Sequence, residues 1–218
     1  MDKEQNSNCW YREVCTLENC TNCIRYLEMK YLLDNSGIPK SRQIPTILDA
    51  GVDYDAFCKL ADLKDDIVNF VNHGDNLYIC SRVTGNGKTS WAIKLLLKYF
   101  DNIWAGNGFK VRGMFVHVPT LLNQLKNFES PLSQEYKDNL TNADLVIWDD
   151  IASTKLSEYD HSQLLSYIDQ REFKDLSNIF TGNIIGIASL ENSVGTRLAS
   201  RIWNNSTIIE FNGKDRRL

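Results

Sequence analysis

The segment from Leu77 to Phe100 decides the fold, and it divides into LYIC, SRVTGNGKTSW and AIKLLLKYF. The first four residues are an apolar run of strand length, and the last nine are strong helix formers. The stretch between them contains glycine, lysine and threonine in succession. Glycines let backbone N–H groups turn toward a phosphate, and the N-terminus of the next helix adds partial positive charge. The segment therefore predicts a strand, a phosphate-binding loop and a helix, in that order.

This loop carries the chemical groups of a P-loop for ATP. The lysine is expected to reach the β- and γ-phosphates, and the threonine hydroxyl to ligate Mg²⁺. The usual pattern has glycine where Arg82 stands, so nucleotide affinity is the property that this departure puts in question. An ordinary glycine-rich turn is the alternative, but strand, loop and helix together favour the P-loop. The candidate nucleotide-binding residues are Gly85, Asn86, Gly87, Lys88 and Thr89.

A second apolar strand, ADLVIWDD at 143–150, ends in two carboxylates. An apolar strand followed by acidic residues, downstream of a P-loop, is typical of a Walker B motif. Asp149 is then expected to hold Mg²⁺, and Asp150 to orient or deprotonate the water that attacks the γ-phosphate. A strand followed by a solvated acidic turn is the alternative interpretation.

Short apolar runs alternate with helical patterns along most of the chain, which predicts an α/β fold with a mainly parallel sheet. An earlier helix is expected around residues 60–71, ending at His73-Gly74. The predicted strands are Leu77–Cys80, Met114–Val118, Leu145–Trp148, Ile179–Thr181 and Thr207–Phe211. The other predicted helices begin after Lys88 or span Pro119–Phe128, Ser157–Phe173 and Val194–Trp203.

Five motifs over about residues 50–218 resemble one family: GNGKTSW, LVIWDD, IFTGN, VGTRLASRIW and EFNGKDRR. Together they look like the DnaC/DnaI-type replicative helicase loaders, especially phage-encoded ones, and the IstB-type transposition ATPases share this core. The resemblance implies an AAA+ P-loop NTPase core whose parallel five-stranded sheet has the order 5-1-4-3-2. It also implies that no C-terminal lid domain is present.

The resemblance further assigns three residues to the ATP site. Asn183, at the tip of the fourth strand, would touch the γ-phosphate. Arg201, on GTRLASRIW, would enter the ATP site of a neighbouring subunit as an arginine finger, and Arg217 would be a sensor-2-like arginine. The alternatives are a turn residue, a solvated helix charge and a residue of the chain's tail, respectively.

Four of the six cysteines lie close together near the N-terminus. Thiolates suit tetrahedral Zn²⁺, and a tight C-x-x-C pair is typical of structural zinc sites. Part of the spacing also fits a plant-type iron–sulfur centre, and unliganded thiols are a third possibility. The three histidines have no ligand spacing, and we expect no role for them. The candidate zinc ligands are Cys9, Cys15, Cys20 and Cys23.

Composition and hydropathy bear on DNA binding, cellular location and domain organisation. The net charge of −4 gives no overall basic field, so any bound DNA must occupy a local groove. No signal peptide or membrane-spanning run is evident, which predicts a cytoplasmic protein without a membrane partner. We expect a cysteine-rich head at 1–35, a proline-containing linker at 36–50 and the ATPase core at 51–218.

These patterns predict an ATPase that binds a replicative DNA helicase through its head and delivers it to single-stranded DNA. By resemblance, it would act as a homo-oligomer whose ATP sites are completed in trans. The alternatives are an IstB-like transposition ATPase, a non-hydrolysing ATP-binding regulator of replication, and a P-loop kinase of small metabolites. The extra strand before Walker B and the C-terminal arginines argue against the kinase.

Overall fold

The computed structural model describes residues 23–44, 47–103, 109–127, 132–153 and 156–216. At its centre is a five-stranded sheet in the order β2-β3-β4-β1-β5, and every pair of neighbouring strands is parallel. The predicted strand order is therefore confirmed. The strands are β1 (Asn76–Ser81), β2 (Gly113–His117), β3 (Leu145–Asp149), β4 (Ser177–Gly182) and β5 (Thr207–Phe211).

Helices cover both faces of the sheet, because alternate side chains of each strand point to opposite faces. On β1, Leu77 and Ile79 join one hydrophobic cluster, whereas Tyr78 and Cys80 join the other. Among the described residues, the helices are α1 (Ile24–Asn35), α2 (Tyr54–Asp65), α3 (Ile67–Asn72), α4 (Lys88–Ile103), α5 (Val118–Leu125), α6 (Gln134–Asn142), α7 (Glu158–Glu172), α8 (Ile187–Val194) and α9 (Thr196–Trp203). Within these residues, no helix combines the length and the apolar composition that crossing a bilayer requires.

Two helix boundaries show how local sequence sets the elements. Ser157 caps α7 through a capping box, in which its hydroxyl accepts from the Asp160 N–H at 3.3 Å and the Asp160 carboxylate accepts from the Ser157 N–H at 3.2 Å. The helix predicted over Val194–Trp203 is instead α9 alone, preceded by α8. Gly195, with φ of 82°, separates the two helices, because that backbone conformation cannot continue a helix.

The part of the predicted head that the structure describes packs with the core. Met29, Leu32 and Leu33 of α1 are buried in the same hydrophobic cluster as residues of α4. Directly after α1, the carbonyl of buried Ser36 accepts a hydrogen bond from the Phe115 N–H of β2 at 2.6 Å. The division into head, linker and core stays a prediction, but residues 24–38 lie against the core.

Candidate nucleotide-binding site

The loop after β1 has the backbone of a phosphate-binding loop. Gly85 and Gly87 have φ of 71° and 104°, a region that side chains with a Cβ rarely adopt. Between them, the buried Asn86 side-chain amide donates to the Ser81 hydroxyl at 2.6 Å and to the Gly213 carbonyl at 3.4 Å. These bonds tie the loop to the end of β1 and to the segment that follows β5.

Arg82, at the position where the usual pattern has glycine, is compatible with this loop. Among the described non-glycine residues, only Asp150 and Asp175 have positive φ. Arg82 is also exposed. The loop therefore needs no glycine at this position for its backbone conformation.

Lys88 and Thr89 form the first turn of α4. Lys88 is buried, and its ammonium donates to the Val83 carbonyl at 2.8 Å and to Asn86 Oδ1 at 3.1 Å. The cation thus lies within the loop, next to the backbone groups that would surround a phosphate.

The two predicted Mg²⁺ ligands contact each other directly. The Thr89 hydroxyl donates to Asp149 Oδ1 at 2.7 Å, and the Thr181 hydroxyl donates to the same oxygen at 2.7 Å. Burial raises the pKa of Asp149, and the two hydroxyl hydrogen bonds partly oppose that rise. A buried carboxylate and a hydroxyl at the base of a P-loop are the oxygen ligands that a nucleotide-bound Mg²⁺ uses.

Asp150 lies beside a histidine that the sequence interpretation passed over. Its φ is 58°, and its N–H donates to the Thr181 hydroxyl at 3.1 Å. Its Oδ2 lies 3.7 Å from His117 Nε2. Because β2 pairs with β3 so that His117 stands opposite Asp149, the sheet register produces this contact. His117 thus lies in the cleft although no role was expected for it, and the pairing of β2 with β3 in the predicted strand order is the signal that could have located it.

These residues surround one cleft at the carboxyl ends of the strands, with a volume of about 850 Å³. Asn183, which follows β4, also lines it, and Asn183 Oδ1 is buried without a hydrogen-bond partner in the described part of the chain. The cleft-lining residues are Pro39, Ser41, Arg42, Leu48, Thr84, Gly85, Asn86, Gly87, Lys88, Thr89, Ser90, Phe115, His117, Asp149, Asp150, Asn183 and Arg216.

An arginine close to the C-terminus reaches the P-loop. Arg217, which the sequence interpretation singled out, lies outside the described residues, whereas its neighbour Arg216 lines the cleft. The backbone N–H of Arg216 donates to the Gly85 carbonyl at 3.1 Å. Its guanidinium lies 3.6 Å from the buried Asp53 carboxylate and over the Phe57 ring, 5.1 Å from the centroid.

The remaining predicted site residues lie away from the cleft or outside the described residues. Arg201 of α9 forms ion pairs with Asp169 at 3.1 Å and Glu172 at 3.0 Å on α7, and it does not line the cleft. Of the four candidate zinc ligands, only Cys23 is described, with a free thiol. Cys9, Cys15 and Cys20 lie outside the described residues.

Comparison with known proteins gives a clear result at the level of structure. No protein-family model and no curated protein sequence matches the chain. The DnaC helicase loader superposes with a TM-score of 0.65 at 18% identity, covering 80% of this chain and 100% of that one. DnaI superposes with a TM-score of 0.58 at 19% identity, covering 83% and 94%.

A third solved structure is the replication initiator DnaA bound to AMPPCP and single-stranded DNA. Its TM-score is 0.56 at 15% identity, and the match covers 85% of this chain and 50% of that one. At such identities, structural similarity establishes the fold but not the activity. The chain therefore has the α/β fold of the AAA+ domains of DnaC, DnaI and DnaA.

Proposed function

We propose that this chain is an ATP-dependent loader of a replicative DNA helicase, which binds the helicase and delivers it to single-stranded DNA. The carrying observation is the contact of the Thr89 hydroxyl with Asp149 at the foot of the P-loop. This contact occurs in a fold shared with the DnaC helicase loader and with DnaI. The DnaA neighbour, which shares the fold, is bound to a nucleotide analogue and to single-stranded DNA.

The cleft offers a group for each part of ATP hydrolysis. Lys88 would neutralise the β- and γ-phosphates, and the loop N–H groups would surround them. Thr89 and Asp149 would hold Mg²⁺, which supplies charge neutralisation at the phosphates. Asp150 would orient or deprotonate the attacking water, and the side-chain NH₂ group of Asn183, which lines the cleft, would donate to the γ-phosphate.

Two arginines would add positive charge from different chains. Arg216 lies at the P-loop of its own chain and can contact the bound nucleotide, as could Arg217. Arg201 is half-exposed and does not line its own cleft, so it would serve a neighbouring copy in a homo-oligomer. A guanidinium placed at a γ-phosphate in trans increases turnover by orders of magnitude.

The N-terminal cysteines would form a metal-bound head that contacts the helicase. Four thiolates, from Cys9, Cys15, Cys20 and Cys23, suit one Zn²⁺ ion. Elemental analysis of the chain prepared without added metal should then give about one zinc per chain. Iron, or no metal, would direct the assignment to a cluster or to free thiols.

The function is tested by loading a ring helicase onto circular single-stranded DNA, which has no free end to thread. The replicative helicase of the same organism is incubated with the circle, Mg-ATP and this chain, and the helicase retained on the circle is measured. We expect retention to depend on the chain and to fall to background with Lys88→Ala. Lys98→Ala, on the same helix but outside the cleft, should support loading as the wild type does.

Equal helicase retention with and without the chain would contradict the proposal. If the chain instead binds ATP, does not hydrolyse it and blocks loading, the non-hydrolysing regulator is the correct assignment. Stimulation of ATP turnover by DNA alone, without any contact with helicase, would favour the transposition ATPase.

A further inference from the structure

Three potential metal ligands meet where β2 and β3 end. One ligand atom from each of His117, Asp149 and Asp150 lies within 4.8 Å of the others. Over the described ranges, this is the one group of three such side chains close enough to share an ion. P-loop Mg²⁺ sites use oxygen ligands, so a Mg²⁺ site does not explain why the His117 imidazole lies beside these carboxylates.

The histidine is already oriented as a metal-binding histidine is. Its Nδ1 lies 2.8 Å from the Thr120 hydroxyl, and its Nε2 lies 3.7 Å from Asp150 Oδ2. In the tautomer whose Nδ1–H donates to Thr120, Nε2 presents a lone pair to the carboxylates. A hydrogen bond on the second ring nitrogen is the usual support of a histidine ligand. The 3.7 Å separation is too long for a direct hydrogen bond, and it fits two ligands of one ion.

Two threonine hydroxyls position the acidic pair, because Thr89 and Thr181 both donate to Asp149 Oδ1. Thr181 donates to Asp149 Oδ1 and accepts from the Asp150 N–H, so Asp149 Oδ2 remains for another partner. Asp150 keeps its carboxylate beside His117 with φ of 58°, a backbone conformation that residues other than glycine rarely adopt. The arrangement therefore exists before any ligand binds.

We propose that His117, Asp149 and Asp150 bind a divalent first-row transition-metal ion, of which Mn²⁺ is the probe, in the absence of nucleotide. One imidazole and two carboxylates suit such an ion, whereas Mg²⁺ prefers oxygen ligands and retains its waters.

The consequence for ATP turnover rests on the proposed function, although the binding itself does not. An ion held by Asp150 withdraws that carboxylate from the attacking water. We therefore expect Mn²⁺ to slow turnover relative to Mg²⁺ in the wild type. The variant His117→Ala, which has only the carboxylates, should show a smaller difference between the two ions.

The test counts Mn²⁺ by the loss of its free-ion electron paramagnetic resonance signal in the nucleotide-free full chain. We expect about one tightly bound Mn²⁺ per chain, and excess Mg²⁺ should displace it poorly. His117→Ala should weaken Mn²⁺ binding by about tenfold or more and leave Mg²⁺ affinity unchanged, so that Mg²⁺ displaces Mn²⁺ more readily than it does from the wild type. Thr120→Val keeps all three ligands but removes the support of the imidazole, so it should weaken binding by about tenfold.

His73→Ala is the matched control, because His73 is an exposed histidine 3.9 Å from a single carboxylate, Asp75. It should bind Mn²⁺ as the wild type does. Equal Mn²⁺ affinity of His117→Ala and wild type, or no Mn²⁺ bound without nucleotide, would overturn the proposal. His117 is half-exposed, so its replacement should leave the melting temperature near that of the wild type. Loss of ATP binding with Mn²⁺ binding intact would instead count against the proposed function alone.

Discussion

Arg171 illustrates how single residues hold this fold together. It is fully buried at the end of α7, where Nε donates to Asn178 Oδ1 at 2.7 Å and Nη2 to the Ser177 carbonyl at 2.6 Å. Its Nη1 donates to the carbonyls of Leu140 at 3.0 Å and Ala143 at 2.7 Å. Burial lowers the pKa of Arg171 to about 9, which still leaves the guanidinium charged at neutral pH. One side chain thus joins α6, α7 and β4.

We expect Arg171→Met to destabilise the protein by about 3 kcal/mol or more, because three buried carbonyls lose the guanidinium as donor and Asn178 Oδ1 keeps only Trp148 Nε1. The free energy of unfolding from urea titration measures this effect. Arg197→Met is the control, since Arg197 is exposed, and it should change stability by about 0.5 kcal/mol or less. Similar losses for the two variants would show that the hydrogen bonds of Arg171 contribute little.

At the scale of elements, the sequence was informative where periodicity was strong. The five strands lie where the apolar runs predicted them, within about two residues at each end, and α4 begins at Lys88 as expected. By contrast, α1 was not predicted, although Met29, Leu32 and Leu33 have helical spacing. The reason is that the clustered cysteines led us to place these residues in a separate head. The contact of His117 with Asp150 was missed for another reason, since it depends on the pairing register of β2 with β3. In both cases, the contacting residues are far apart in the sequence.

The packing of α1 leads to a stability prediction. Leu33→Ala should lower the free energy of unfolding by about 2–5 kcal/mol, because Leu33 is 2% exposed within the core cluster. Leu27→Ala, on the same helix but 38% exposed, should cost about 1 kcal/mol or less. Equal and small effects in urea titrations of the two variants would mean that α1 is not part of the folded core.

At the scale of the whole molecule, the segment before α2 and the segment after β5 both lie against the nucleotide cleft. Leu48 packs so close to Gly87 that a Cβ there would lie 3.1 Å from its Cδ1. Asp53, which follows, accepts hydrogen bonds from the Asn212 N–H at 2.6 Å and the Gly213 N–H at 3.1 Å. The segments before α2 and after β5 are therefore fastened together across the P-loop. A local motif cannot reveal such an arrangement, which joins residues about 160 positions apart.

The proposed completion of ATP sites between copies can be tested at Arg201, which lies outside its own cleft. Arg201→Ala and Asp150→Asn should each bind ATP but turn it over slowly. Mixing the two variants should restore part of the turnover, because some interfaces then pair an intact Asp150 with an intact Arg201. A mixture no more active than the sum of its components, in a steady-state ATPase assay, would place Arg201 among the surface charges.

The central claim, that the cleft binds Mg-ATP through the P-loop, is tested most directly by calorimetric titration of the full chain with Mg-ATP. Wild type and Lys98→Ala should each bind about one nucleotide per chain with the same affinity. Lys88→Ala should show no measurable binding, because the cation that would face the β- and γ-phosphates is gone. Binding by Lys88→Ala at the affinity of the wild type would contradict the account.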